Sequence, residues 1–169
     1  MLYRLAVALL LSHLPFLPAW ADPASPGANW AQIGVEARER GLPVVVLVTE
    51  HDCGFCERMR RDFLSVADTR AMLDERAVLG EIPRDQGGKI TDFDGERIRA
   101  RVFLSRYEIF ATPTALFVSP SGEPLAPPLV GYNDQETYAH LVSERLEHAG
   151  AVLETGERMT RAALAGAQP

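Results

Sequence analysis

The sequence predicts an α/β fold, a central mixed β-sheet flanked by helices on both faces. Three observations predict it. The run Val44-Val45-Val46-Leu47-Val48-Thr49 is β-branched and apolar almost throughout, the pattern of a strand covered on both sides. Helix-like segments separate the early strand-like runs, an order that gives parallel pairing. Further on, Ser119-Pro120-Ser121-Gly122 joins two short apolar runs as a tight turn would, giving an antiparallel hairpin.

Residues 1–21 read as a cleaved export signal: Arg4 supplies the positive end, residues 5–11 the apolar core and Ala19-Trp20-Ala21 the small-x-small cleavage site. The apolar run falls far short of the roughly 20 residues of a spanning helix. Pro15 and Pro18 also interrupt it, so no membrane anchor is expected after cleavage. Residues 22–28 form a flexible lead, and residues 29–149 a single domain. Asn29 caps a helix over residues 30–40, which Gly41 and Pro43 end. After the strand at 44–49, apolar Phe55, Met59, Phe63 and Val66 recur every three or four residues, predicting a helix to Ala67. Asp68 then caps a short helix over 69–76, and residues 77–82 read as a second strand.

Residues 83–95 are polar and glycine-bearing, a loop with one short extended piece at 89–93. Residues 96–107 read as a helix with Ile98, Val102 and either Leu104 or Tyr107 facing inward. Strands follow at 114–118 and 125–130, the second at an edge because Pro127 and Pro128 cannot donate to a ladder. Asn133 and Glu136 have capping-box spacing for a helix over 134–149, stopped by Gly150. The tail, 150–169, has room for one more short helix.

The formal net charge is −6, and one unit more negative without Arg4. That balance argues against nucleic acid or anionic lipid as the main partner. Export implies an oxidising compartment, where a close cysteine pair oxidises unless something keeps it reduced.

Cys53 and Cys56 are the chain's two cysteines, set as Cys53-Gly54-Phe55-Cys56 between the first strand and its helix. At a strand-to-helix turn the first sulfur lies near the free N–H groups of the helix, where the thiolate is favoured. A purely structural bridge is a weak reading, because a loop closed over three residues removes little unfolded-state entropy. A zinc site needs two more ligands, and His140 and His148 are not at finger spacing. The second diagnostic is Ala111-Thr112-Pro113-Thr114, where a proline immediately before a strand marks a strand start or a cis bond. Gly87-Gly88-Lys89 lacks the spacing of a phosphate loop, and Asp92-Phe93-Asp94-Gly95 lacks the ligands of a calcium loop.

Over roughly residues 30–149 the chain resembles the periplasmic thioredoxin-like proteins of the SoxW type, within the thioredoxin-fold group. The matching stretches are His51-Asp52-Cys53-Gly54-Phe55-Cys56, Ile90-Thr91-Asp92-Phe93-Asp94-Gly95, Thr112-Pro113-Thr114, Ser121-Gly122-Glu123 and Gly131-Tyr132. The resemblance implies a thioredoxin-like fold, a periplasmic thiol–disulfide reductase, and electrons from a membrane thiol transporter of the DsbD or CcdA type. It also implies a cis Thr112–Pro113 bond, with Thr112 binding substrate backbone beside the cysteines. No cofactor beyond the redox-active Cys53–Cys56 disulfide is expected.

Two departures from ordinary thioredoxins matter. Asp52 stands where they carry a tryptophan, and Leu47 stands where they bury a proton-accepting aspartate. Glu50 lies closer to the pair and could deputise, or it is a solvated strand-end carboxylate. Cys53, accessible at the helix N-terminus, is expected to be the nucleophile, and Cys56, more buried one turn into the helix, the resolving thiol. Glu50, Asp52 and Glu57 should disfavour thiolate at Cys53, and Phe55 brings no positive charge between the cysteines, which together point to a reductant. A disulfide isomerase or an oxidase of the same fold remains open, as does a metal-carrying thiol module using Cys53, Cys56 and His51. The isomerases carry a sizeable N-terminal dimerisation domain that residues 22–28 cannot supply, which favours a monomer.

Overall fold

The computed structural model describes residues 29–85 and 87–166. The expected export signal over residues 1–21, the expected lead 22–28 and the last three residues lie outside the described residues.

Asn29 opens α1 (Trp30–Arg40) by accepting the Gln32 N–H on its Oδ1 at 3.1 Å. Gly41 ends it at φ 65°, a left-handed conformation that glycine adopts without a Cβ penalty. Next comes β1 (Val44–Thr49), buried at all six positions. β2 (Val78–Pro83) pairs parallel with one side of β1, while β5 (Thr114–Val118) pairs antiparallel with the other. β6 (Pro124–Val130) closes the sheet antiparallel to β5, giving the order β2-β1-β5-β6. Its three prolines are tolerated because it is an edge strand.

Alternation along β1 divides the core in two. Val44, Val46 and Val48 face Trp30, Phe103 and Leu104, whereas Val45 and Leu47 face Met59, Phe63 and Tyr138. Trp30 stacks on Phe103 with ring centroids 5.4 Å apart. It lies so close to β2 that a Cβ at Gly80 would sit 2.6 Å from its ring.

Beyond β1, α2 (Gly54–Met59) runs into a π turn (Arg60–Leu64), in which the Ser65 N–H reaches the Arg60 carbonyl at 2.9 Å. The expected single helix to Ala67 is therefore interrupted at Ser65. α3 (Ala67–Arg76) starts before Asp68, with extended Val66 at its N-cap and no side-chain cap. Phe55 is 54% exposed and is not part of the buried stripe predicted for this helix.

The expected helix over 96–107 is also corrected. β3 (Lys89–Thr91) and β4 (Arg97–Arg99) form a two-stranded hairpin, and only α4 (Ala100–Arg106) is helical. Arg97-Ile98-Arg99 alternates polar and apolar, and Ile98 pairs with Ile90 so that both are buried. Val102 is exposed, and Phe103 and Leu104 take the inward positions.

α5 (Gln135–Gly166) closes the second face of the sheet. Its cap is Asp134, one residue later than expected, whose carboxylate accepts the Thr137 N–H at 2.9 Å and hydroxyl at 3.0 Å. Gly150 does not stop it: the helix continues through that glycine, so the tail continues α5. A mid-helix glycine costs only about 1 kcal/mol relative to alanine, too little to break a well-packed helix. No helix among the described residues is long and apolar enough to cross a membrane.

Candidate active site

Cys53 is the N-cap residue of α2, and Cys56 lies in its first turn. The two are joined as a disulfide with Cα atoms 5.2 Å apart. Their environments differ: Cys56 is fully buried, whereas Cys53 is half-buried and is the more accessible of the two. The Cys56 N–H donates to Cys53 Sγ at 3.1 Å. A backbone donor at a helix N-terminus favours thiolate at that sulfur once the bond is opened.

The opposite wall of the site is the segment entering β5. The Thr112–Pro113 peptide is cis, and the Thr112 hydroxyl lies 3.6 Å from Cys53 Sγ and 3.1 Å from Glu50 Oε2. Its one proton can serve only one of these acceptors at a time. Arg84 binds both Glu50 oxygens, at 2.8 and 3.0 Å, and also donates to the Phe110 carbonyl at 3.0 Å. Glu50 is thus neither free in solvent nor buried under Cys56; it is an ion-paired link that ties β1, β2 and the Thr112 segment together beside Cys53. Sequence reasoning missed Arg84, which pairs 34 residues away and belongs to no periodic pattern.

A second carboxylate was also missed. Glu81 lies across the ladder from Leu47, the position that lacks the aspartate of ordinary thioredoxins. Its side chain is 9% exposed and accepts the Thr49 hydroxyl at 2.5 Å. Arg60, one turn beyond Cys56, pairs with Glu81 and donates to Thr49 Oγ1 at 3.1 Å. A largely buried carboxylate therefore does occur in the sheet on this side, but on the neighbouring strand and matched by an arginine.

The remaining predicted residues sit around the rim. Asp52, Gly54 and Phe55 are exposed, and the Arg58 guanidinium lies over the Phe55 ring at 5.3 Å. Phe110 is 83% exposed on the Thr112 side. His51 turns to Asp85, its Nδ1 2.8 Å from the carboxylate, which also accepts the His51 N–H. Desolvation works to raise the Asp85 pKa, but the interactions with His51 and with its own backbone N–H together outweigh it and hold the carboxyl below its ordinary value. Among the described residues no group of three or more His, Cys, Asp or Glu side chains is placed to hold a metal ion.

A thioredoxin-like domain model matches residues 32–145. The chain belongs to the thioredoxin-like family. Solved structures with the same fold include a thioredoxin from Thermus thermophilus, 20% identical with TM-score 0.57, the match covering 73% of this chain and 88% of that one. A DsbH oxidoreductase is 13% identical with TM-score 0.53, covering 80% of this chain and 95% of that one. The C-terminal domain of Neisseria meningitidis DsbD in its oxidised form is 15% identical with TM-score 0.52, covering 72% and 99%. No curated protein matches the chain. For this thioredoxin-like chain, likenesses at such identities show the fold.

Proposed function

We propose that the protein is an exported thiol–disulfide oxidoreductase that reduces disulfides in periplasmic proteins, as the SoxW-type resemblance suggests. One observation carries the reading: an accessible Cys53 sulfur at a helix N-terminus, disulfide-bonded to a buried Cys56 and faced by Thr112 across the site.

In the reduced protein, Cys53 thiolate attacks one sulfur of a substrate disulfide. The substrate S–S bond breaks, the leaving sulfur departs as thiolate and takes a proton from solvent, and a mixed disulfide forms. Cys56 then loses its proton and attacks Cys53 Sγ, releasing the second substrate sulfur as a thiol. Two electrons have passed to the substrate, and the protein is left with the Cys53–Cys56 disulfide. Thr112 and Pro113 form the wall against which the substrate backbone lies. A donor dithiol, by resemblance that of a DsbD- or CcdA-type membrane transporter, reverses the exchange and restores the reduced pair. The protein acts as a monomer, with the cysteine pair as its redox group and no further cofactor.

Reduction of insulin disulfides by the pre-reduced protein tests this reading. Cys53→Ser is expected to abolish it, whereas Cys56→Ser keeps the attack and accumulates mixed disulfide, visible as a mass adduct. An inert Cys56→Ser protein beside a reactive Cys53→Ser protein would reverse the assignment of the nucleophile.

A further inference from the structure

The β3–β4 hairpin concentrates positive charge that the redox chemistry does not use. Ile90 and Ile98 pair and face inward, so the residues alternating with them point outward together. Lys89 lies directly across from Arg99, Arg97 flanks them opposite Thr91, and Arg101 follows in the first turn of α4. All four are exposed, and none has an ion-pair partner among the described residues. Like charges directly opposed on a ladder destabilise it, and this cluster occurs on a chain of formal net charge −6. The hairpin's own acids do not neutralise it. Asp92 is turned inward onto Arg106, Asp94 accepts the Glu96 N–H at 2.9 Å, and Glu96 lies at the tip.

Lys89, Arg99 and Arg101 line a cleft of about 360 Å³ together with Arg84 and Asp85. Those last two residues connect it to the disulfide loop. Arg84 holds Glu50 and Asp85 holds His51, three and two residues before Cys53. Among the described residues Asp85 is the one acid lining the cleft, and its carboxylate is occupied by His51.

We propose that this cleft docks an acidic segment of the disulfide-bearing partner protein, alongside the bond presented to Cys53. The partner's nature rests on the redox function proposed above. The cleft has room for one or two carboxylate side chains, and the negative charge of the rest of the chain repels an extended polyanion or an anionic bilayer.

A fluorescein-labelled, cysteine-free peptide rich in Asp and Glu, titrated against the oxidised protein at low ionic strength, tests the docking without any redox step. Binding is expected by anisotropy, absent for a neutral peptide of equal length and lost in high salt. Lys89→Gln/Arg99→Gln/Arg101→Gln should weaken it about tenfold, the loss of three exposed ion pairs. All three side chains are on the surface, and unchanged circular dichroism and melting confirm a folded variant. In a second arm, the reduced wild type should favour, in kcat/KM, a disulfide peptide flanked by acids over a neutral one. The triple variant should lose that preference and keep its rate on the neutral peptide.

Equal binding by variant and wild type overturns the proposal, as does no peptide binding at all. Charge-dependent binding to anionic vesicles or inorganic phosphate without peptide binding also overturns it, in favour of a membrane or a small anion. Peptide binding without reduction of any disulfide would leave the docking standing and remove the redox reading. Reduction with neither peptide binding nor charge preference would do the reverse.

Discussion

Arg60→Ala is expected to cost the fold more than Glu81→Gln, although both remove the same ion pair. The difference lies in what each leaves behind. Glu81 is 9% exposed and Arg60 41% exposed. Without Arg60, a nearly buried carboxylate keeps only the Thr49 hydroxyl, and an uncompensated buried charge costs about 3–5 kcal/mol. Glu81→Gln leaves an acceptor for Thr49 and a guanidinium that water already reaches, so about 1–2 kcal/mol is expected. Arg60→Met/Glu81→Gln should be more stable than Arg60→Ala alone, because the charge that needed a partner is gone. Urea unfolding of the disulfide form at neutral pH measures all three, with unchanged m-values showing that the unfolded state is comparable. The reasoning fails if Glu81→Gln is as costly as Arg60→Ala, or if both fall below about 0.5 kcal/mol as exposed pairs do.

Two further perturbations probe the frame around the site. Gly80→Ala drives a methyl into the Trp30 ring, and overpacking of this kind should cost about 1–3 kcal/mol in a thermal melt; an unchanged melting temperature would show that Trp30 shifts freely. Asp134→Ala removes the cap of α5, and the Thr137 backbone and side-chain bonds hold the Asp134 carboxyl below its ordinary pKa. A depressed folded-state pKa stabilises above the unfolded carboxylate value and is lost as pH falls through the folded one. The melting-temperature gap to wild type should therefore be full at neutral pH and close on acidification below about pH 4. A gap that does not change with pH would mean that the carboxylate charge is not what caps the helix.

The parts legible in the sequence are those with local signals. The apolar run of β1, the cysteine pair at a strand-to-helix turn, the Asn29 cap and the Gly41 stop each declare themselves within a few residues. Arg97-Ile98-Arg99 is too short to separate a period of two from one of 3.6, and its strand exists because Ile98 meets Ile90 across the hairpin. Asn133 and Asp134 are both competent caps, and the choice between them is made by where α5 docks. The supports of the site were the least legible. Arg84–Glu50 and Arg60–Glu81 join residues 34 and 21 apart, and Glu81 comes to lie opposite Leu47 only through the β1–β2 register.

The claim that Cys53 and Cys56 cycle as a reductant is tested most directly by their reduction potential, measured by equilibration with glutathione. Asp52 and Glu57 flank the accessible sulfur with no ion-pair partner among the described residues, while Arg84 balances the charge of Glu50. The Cys56 N–H bond to Cys53 opposes these two acids, and no cationic side chain lies between the cysteines. The expected value lies near the thioredoxin end of the scale, about −270 mV. A value above about −150 mV, close to the strong oxidants, would contradict the account and make the protein a donor of disulfides.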